Sequence, residues 1–289
     1  MDSTKRKLTV VIPAYNEEKT IGKVITDLEK LSFADEIIVI DDGSTDLTRQ
    51  KALDSGARVI SHEKNSGYGA SLKTGILNAE NNNIAFIDAD AQHNPDDLKV
   101  MLKYLDDYDI VIGARKAGSH SPLWRQPGKR FIHILANYLA GFKIPDLNCG
   151  LRIVKKDLIK PYLRIFPDKF SFSTTSTMFF IKDGYSVKFV SINAKKRIGT
   201  STLKIRHGLD TIILVLRMIT LFEPFKIFLP VSISIFSFGF VYAGVEVIRF
   251  GQFSATSLFL GIASLLTFFF GMIADQIATI RKEIKNKDE

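Results

Sequence analysis

Cysteine, tryptophan and, over two long stretches, charge are what this 289-residue chain has least of. Cys149 is the only cysteine, so no intramolecular disulfide can form, which agrees with a reducing compartment. After the first apolar run stands Pro13-Ala14-Tyr15-Asn16-Glu17-Glu18. The Gly-x-Gly-x-x-Gly of dinucleotide-binding folds is missing there, which argues against NAD and FAD. The basic start, Met1 to Lys7, is followed only by the short run Leu8–Ala14, which reads as a first strand and not as a secretory signal. The N-terminal part is therefore expected to stay in the cytosol. Charge is absent from Ile227–Val245 and Phe250–Ala274, 19 and 25 residues long. A bilayer core takes roughly 20 residues of helix. Both runs are apolar on every face and rich in Phe, Ile and Gly, so two membrane spans are expected in preference to two buried core helices.

The net charge is +8, and basic residues crowd both flanks of the apolar runs: Lys195, Lys196, Arg197, Lys204, Arg206 and Arg217 before, Arg281, Lys282, Lys285 and Lys287 after. The short connector carries only Arg249. This asymmetry predicts that both termini lie on the cytosolic side. Anionic lipid and phosphate ligands account for the excess charge, and nucleic acid is not needed as a partner.

The first hundred residues alternate. Leu8–Ile12, Glu36–Ile40, Ala57–Ser61, Ile84–Ile87 and Ile110–Gly113 are short β-branched or apolar runs. Between them Ile21, Val24, Ile25, Leu28 and Leu31 mark one helix face, with Asn16 as a capping residue ahead of Glu17 and Glu18. Further helices are expected from Thr45-Asp46, over Gly67–Ala79, and after Pro95. Such alternation implies an α/β fold with a mainly parallel sheet covered on both faces. Phe131, Ile132, Leu135, Leu139 and Phe142 suggest another helix, while Ser171–Ile181 fits a buried helix or a strand equally well. Over Leu203–Leu221, Leu209, Ile212, Ile213, Leu216 and Ile219 fall on one side of a helix, with Arg206, Asp210 and Arg217 elsewhere. An amphipathic helix just before a membrane span suits the lipid interface, and the alternative is a surface helix packed on the domain.

In an open α/β sheet, ligands bind at the carboxyl ends of the strands. Ile84–Ile87 ends in Asp88-Ala89-Asp90-Ala91-Gln92-His93, two carboxylates spaced i, i+2. Adjacent carboxylates repel, and oxygen ligands suit a hard ion such as Mg²⁺ or Mn²⁺, which in turn suits a diphosphate. The alternative is a polar turn followed by a helix capped by Asn94 or Asp96. Asp41-Asp42-Gly43-Ser44-Thr45-Asp46 offers carboxylates to a nucleobase or ribose. Asn65-Ser66-Gly67-Tyr68-Gly69-Ala70 opens a helix whose backbone N–H groups could meet an anion.

The segments Val11–Glu18, Asp41–Asp46 and Asp88–His93 resemble the serial motifs of family 2 glycosyltransferases with the GT-A fold. Asp88–His93 and Asp146-Leu147-Asn148-Cys149-Gly150-Leu151-Arg152 are most similar to the polyprenyl-phosphate branch of that family, which includes dolichol-phosphate mannose synthases and undecaprenyl-phosphate glucosyltransferases. The resemblance implies a GT-A catalytic domain over residues 1–202, an amphipathic juxtamembrane helix over 203–223, membrane helices over 224–248 and 255–278 joined by an external loop at 249–254, and a cytosolic basic tail at 279–289. It also implies that Asp88, Asp90 and Gln92 hold the divalent metal, Mg²⁺ or Mn²⁺, on the donor diphosphate. Pro13, Ala14, Tyr15, Glu17 and Asp42, together with Asp88 and Asp90, would bind the donor. Arg115 and Arg130 would bind the acceptor phosphate, and Arg197 the donor phosphate. Asp146 sits where a base is placed in sugar transfer to hydroxyls; with a phosphate acceptor it could instead orient an arginine or a sugar hydroxyl. His93 reads as a structural hydrogen-bonder.

The implied reaction is inverting, metal-dependent transfer of a hexose from GDP-mannose or UDP-glucose to a polyprenyl phosphate, with a homo-oligomer compatible with it. A processive polysaccharide synthase fits less well: its Gln-x-x-Arg-Trp motif is missing, Trp124 being the only tryptophan, and only two spans are expected. A transferase-fold membrane scaffold without activity would have no use for the intact Asp88, Asp90 and Gln92 set.

Overall fold

The computed structural model describes residues 7–115, 126–169, 171–194 and 208–288. The chain divides into two compact units, Met1–His133 with Phe142–His207, and Ile134–Gly141 with Gly208–Glu289.

In the first unit, seven strands among the described residues form one sheet. They are β1 (Leu8–Ala14), β2 (Ala34–Asp41), β3 (Arg58–Ser61), β4 (Asn83–Phe86), β5 (Ile110–Arg115), β6 (Arg152–Lys155) and β7 (Val187–Ile192), in the spatial order β3-β2-β1-β4-β6-β5-β7. Strand β6 runs antiparallel to β4 and β5, and every other pairing is parallel. The expected α/β fold with a mainly parallel sheet is thus what forms. All seven residues of β1 are buried, as sheet strands covered on both faces must be. Burial of each large aliphatic side chain there contributes about 1.5–3 kcal/mol.

Helices α1 (Ile21–Glu29), α2 (Thr48–Asp54), α3 (Tyr68–Asn78) and α4 (Asp96–Leu102) follow the first four strands. In α1 the buried face is Ile21, Val24, Ile25 and Leu28, at the spacing read from the sequence. Two starts differ from expectation. Asn16 does not cap α1; it has φ 53°, and its Oδ1 accepts from Thr45 N at 2.9 Å, tying the first loop to the second. Helix α2 starts at Thr48, because Asp46 Oδ1 accepts from Thr48 N at 3.0 Å and caps it from outside.

Helix α7 (Phe172–Lys182) resolves the ambiguity over Ser171–Ile181. Ser176 and Thr177 hydroxyls donate back to Ser173 O at 3.2 and 2.8 Å, an i−3 and i−4 arrangement that only a helix offers. Around it Tyr162, Phe166, Phe172, Phe179, Phe180 and Tyr185 form an aromatic cluster with centroids 4.5–6.3 Å apart. Helix α6 (Lys156–Ile159) and a 3-10 turn (Lys160–Tyr162) connect β6 to this cluster.

Helix α5 (Gln126–Ala140) carries the face Leu135, Ala136 and Leu139. The second unit contains its C-terminal end together with α8 (Gly208–Phe222), α9 (Phe225–Phe250) and α10 (Ala255–Asp288). Tyr138 OH donates to Lys226 O at 3.1 Å. In α8 the buried stripe is Leu214, Met218 and Phe222, whereas Leu216 is exposed. The helix therefore has a packed apolar side and a second, uncovered one. Residues 203–207 of the expected amphipathic segment lie outside the described residues.

Phe225–Phe250 and Ala255–Ile280 are each 26 residues long and apolar enough to cross a membrane. They form an antiparallel hairpin in which Ser264 Oγ donates to Ser232 O at 3.0 Å and Gly239 lies against Leu260. Small residues at the seam and large apolar residues outside are the pattern of helices packed in lipid.

Candidate active site

Because β1, β2, β4 and β5 are parallel, their C-terminal tips share one edge of the sheet, and the antiparallel β6 brings its N-terminal end there too. Topology alone therefore gathers Pro13–Glu17, Asp41–Asp46, Asp88–His93, Arg115 and Asp146–Arg152, segments up to 139 residues apart in the chain.

The first two loops are laced together. Asn16 N donates to Ser44 Oγ at 3.0 Å, Glu17 N to Thr48 Oγ1 at 2.8 Å, and Glu18 N to Asp46 Oδ2 at 3.3 Å. Pro13 and Ala14 are buried, while Tyr15 and Glu17 are half-buried at the edge. Asp42 is buried and held by three donors: His62 Nδ1 at 2.7 Å and Ser66 N at 2.8 Å on Oδ1, Gly67 N at 2.9 Å on Oδ2. The imidazole continues to the Thr74 hydroxyl, 2.9 Å from Nε2. In the loop that opens α3, Asp42 takes the N–H groups of Ser66 and Gly67, and Asp168 O takes that of Ala70 at 2.9 Å.

Asp88 and Asp90 follow β4. Tyr68 OH donates to Asp88 Oδ1 at 3.0 Å and His93 Nε2 to Oδ2 at 3.3 Å. Burial raises the Asp88 pKa, but the hydrogen bonds and charge of His93, the Tyr68 hydroxyl and the Arg115 guanidinium outweigh it, and the carboxyl lies below its usual range. Tyr68 is pushed well above the ordinary phenol value by burial and by Asp88. His93 is thus a hydrogen-bonder, and its buried Nδ1 meets no partner among the described residues. Asp90 is buried and accepts from Gln92 N at 3.1 Å, across Ala91 with φ 57°. Among the described residues no three His, Cys, Asp or Glu side chains converge as a metal site. Two aspartates with hard oxygen donors fit a small divalent ion whose other ligands are water and substrate phosphate, which is how Mg²⁺ is commonly held.

Arg115 ends β5 and meets Asp146 as a fork: Nε to Oδ2 at 2.7 Å, Nη2 to Oδ1 at 3.1 Å. Asn148 N adds a donor to Oδ1 at 3.0 Å. Burial opposes both charges, but the pairing wins, raising the Arg115 pKa and lowering that of Asp146. Of the roles open to Asp146, orienting an arginine is the one this geometry displays. Buried Cys149 nearby is pushed up to about 12 by burial and by Asp146, so it is a thiol at neutral pH. Arg130 is exposed on α5, and Arg197 lies outside the described residues.

Sequence reasoning passed over Tyr68, His62, Gly150 and Arg152 as functional groups. The one available signal was their position within or beside motifs already singled out. Gly150 packs so closely on Asp88 that a Cβ there would collide with the carboxylate.

The mainly parallel sheet with its one antiparallel strand is the GT-A class of α/β fold. Residues 9–163 match the family Glycosyl transferase family 2, and residues 223–280 match GtrB C-terminal hairpin. The chain belongs to glycosyl transferase family 2 and is a glycosyltransferase. It is 32% identical over 198 residues to an uncharacterised protein of Methanocaldococcus jannaschii, covering 65% of this chain and 81% of that one. It is 29% identical over 169 residues to an undecaprenyl-phosphate 4-deoxy-4-formamido-L-arabinose transferase of Salmonella choleraesuis, covering 55% of this chain and about half, 52%, of the relative. Among solved structures, glucosyl-3-phosphoglycerate synthase from Mycobacterium tuberculosis in complex with Mn²⁺, UDP and phosphoglyceric acid superposes with a TM-score of 0.63 at 20% identity, over 75% of this chain and 79% of that one. At that identity the likeness speaks to the fold.

Proposed function

We propose that this protein transfers a sugar, with inversion, from a nucleotide sugar to a polyprenyl phosphate in the membrane. The observation that carries the reading is the carboxylate pair Asp88 and Asp90 at the shared strand edge of a chain that also holds an apolar helical hairpin. The Salmonella relative is named for transfer to undecaprenyl phosphate, which supports the acceptor class. The preferred donors are GDP-mannose and UDP-glucose.

In this reading Tyr15 and Glu17 contact the nucleoside, Pro13 and Ala14 supply backbone beneath it, and Asp42 holds the neighbouring Ser66–Gly67 turn in place. Asp88, Asp90 and Gln92 would hold Mg²⁺ or Mn²⁺, which when bound offsets negative charge on the departing diphosphate. A phosphate acceptor is already anionic near neutral pH, so the protein must orient and desolvate it more than deprotonate it. Arg115, with Arg130, draws the acceptor phosphate, and Asp146 keeps the Arg115 fork aimed. Arg197 would steady the leaving diphosphate. The uncovered side of α8 suits the lipid interface, and the flanking basic residues favour both termini on the cytosolic side.

The test is a panel of nucleotide sugars incubated with detergent-solubilised protein and a polyprenyl phosphate, with the glycolipid mass as readout. A product heavier than the acceptor by one sugar residue is expected, and it must vanish with a chelator. Arg115→Ala should raise the KM for lipid phosphate about ten- to hundredfold, the worth of one charge-assisted contact, and leave donor affinity nearly intact. Loss of donor affinity instead would reverse the two phosphate assignments. Transfer that is unaffected by chelator would remove the metal from the reading.

A further inference from the structure

Arg152 opens β6, opposite Phe86 of β4 and Ile112 of β5, and is 1% exposed. An arginine at such a position is costly. A buried charge loses several kcal/mol of hydration, and an apolar side chain of similar volume is often as stable or more so. The hydrogen-bond partners of Arg152 are all neutral. Nη2 donates to Cys149 O at 2.6 Å; Nη1 donates to Ser176 Oγ at 2.9 Å, Ser173 O at 3.2 Å and Thr177 Oγ1 at 3.5 Å. Nε meets no partner among the described residues. One planar fork therefore joins two segments, the Asp146–Gly150 loop and the first turns of α7.

What the fork holds matters more than the fork. Cys149, whose carbonyl it grips, precedes Gly150, the residue whose backbone lies directly against the Asp88 carboxylate. From the other sides Tyr68 and His93 donate to the same carboxylate. The wall behind Asp88 is thus the Cys149–Gly150 peptide, which Arg152 grips directly, while the Thr174 hydroxyl on Asn148 ties the same loop to α7 from its side. Asp88 and Asp146 both favour the charged guanidinium, while burial pulls its pKa down.

We propose that Arg152 is a positioning residue of the donor site, a buried cation that clamps the Cys149–Gly150 backbone to α7 and so sets where Asp88 stands. The inference rests on the assignment of Asp88 and Asp90 to the metal and donor diphosphate.

The experiment uses the full chain in detergent, titrated with Mn²⁺ in the presence of UDP and, in parallel, GDP, with bound Mn²⁺ read by electron paramagnetic resonance. Melting curves and the split between kcat and KM complete it. R152K keeps the charge but can grip only one of the two segments. It should melt cooperatively yet bind Mn²⁺ with nucleotide about ten- to hundredfold more weakly, the usual cost of losing support behind a metal ligand, and lower kcat with little change in acceptor KM. S176A, which removes one acceptor and leaves the charge, should shift binding the same way and less. If R152K only melts earlier and binds Mn²⁺ and nucleotide undiminished, Arg152 is a structural residue and the inference falls. Should R152K fail to fold, undiminished binding by S176A overturns it equally. Wild-type protein that binds Mn²⁺ with neither nucleotide would overturn the donor-site reading, and this inference with it.

Discussion

Strand β1 and helix α9 are both apolar, and they are built inside out with respect to each other. Every residue of β1 is buried, including Thr9, whose hydroxyl donates to Glu36 Oε2 at 2.6 Å. In α9 the buried residues are Ser232 and Gly239, while Phe238 and Ile248 are 64% and 86% exposed. The difference teaches which solvent each region is made for. In water an apolar side chain gains by leaving the surface, so polar groups surround a greasy sheet. Lipid tails offer no such gain, so α9 and α10 associate through small residues and a hydroxyl bond, and leave their large side chains outside.

The comparison can be broken at its chemical end first. Asp90→Asn removes an anionic ligand at the strand edge, and several kcal/mol of charge stabilisation should go with it, lowering kcat on the order of a thousandfold while the melting transition persists. Full activity would mean that this edge is not where the reaction happens. Next, arginine on two apolar sites that are both more than half exposed should give opposite answers. Phe238→Arg, in the middle of α9, should cost about 2.5–3.5 kcal/mol of membrane insertion, read as the inserted fraction in a translocon assay. Leu77→Arg, 56% exposed on α3, should change stability by no more than about 0.5 kcal/mol. Similar costs at both positions would erase the distinction between the two solvents.

A smaller effect concerns Asp146. Its native pKa is depressed below the unfolded value of about 3.9, so its pairing stabilises the protein above that pH and the contribution fades as the pH falls toward the lower native value. Asp146→Asn should therefore cost about 1–3 kcal/mol at pH 7, and the deficit against wild type should shrink below about pH 4 in denaturant titrations. A deficit independent of pH would assign the loss to packing. Smallest of all, Ser264→Ala deletes the hydroxyl bond across the hairpin and should cost about 0.6 kcal/mol, measurable by unfolding in mixed micelles. A loss several times larger would mean that this bond sets the hairpin register.

Much of the sheet unit was legible because strand and helix periods differ. Ile84–Ile87 can only be a short buried run, and Ile21, Val24, Ile25 and Leu28 can only share a face if helical. Strands β6 and β7 escaped notice for different reasons. Arg152-Ile153-Val154-Lys155 is four residues long with a charge at each end, so nothing in it advertises a central strand. Val187–Ile192 does carry an apolar rhythm, but as an edge strand only Ile192 is fully buried. Which side of α8 packs was not legible, because Leu203–Leu221 is apolar around much of its circumference. Periodicity then cannot choose between the side holding Leu216 and the side holding Leu214 and Met218.

The composition of residues 8–113 by itself determined an α/β sheet with carboxylates at its strand ends, and the uncharged runs after Lys226 determined two helices fit for lipid. Both follow from local rules, the period of apolar residues and the length of an uncharged run. Pairwise relations were decided only in three dimensions. That Asp42 faces inward to the Ser66–Gly67 turn, that Asp146 meets Arg115, and that Arg152 reaches Cys149 and α7 each depend on a side chain finding a partner on another element. Such a partner has no fixed spacing along the chain. The desolvation of a charge, which makes the pairing matter, exists only once the surrounding elements have closed over it.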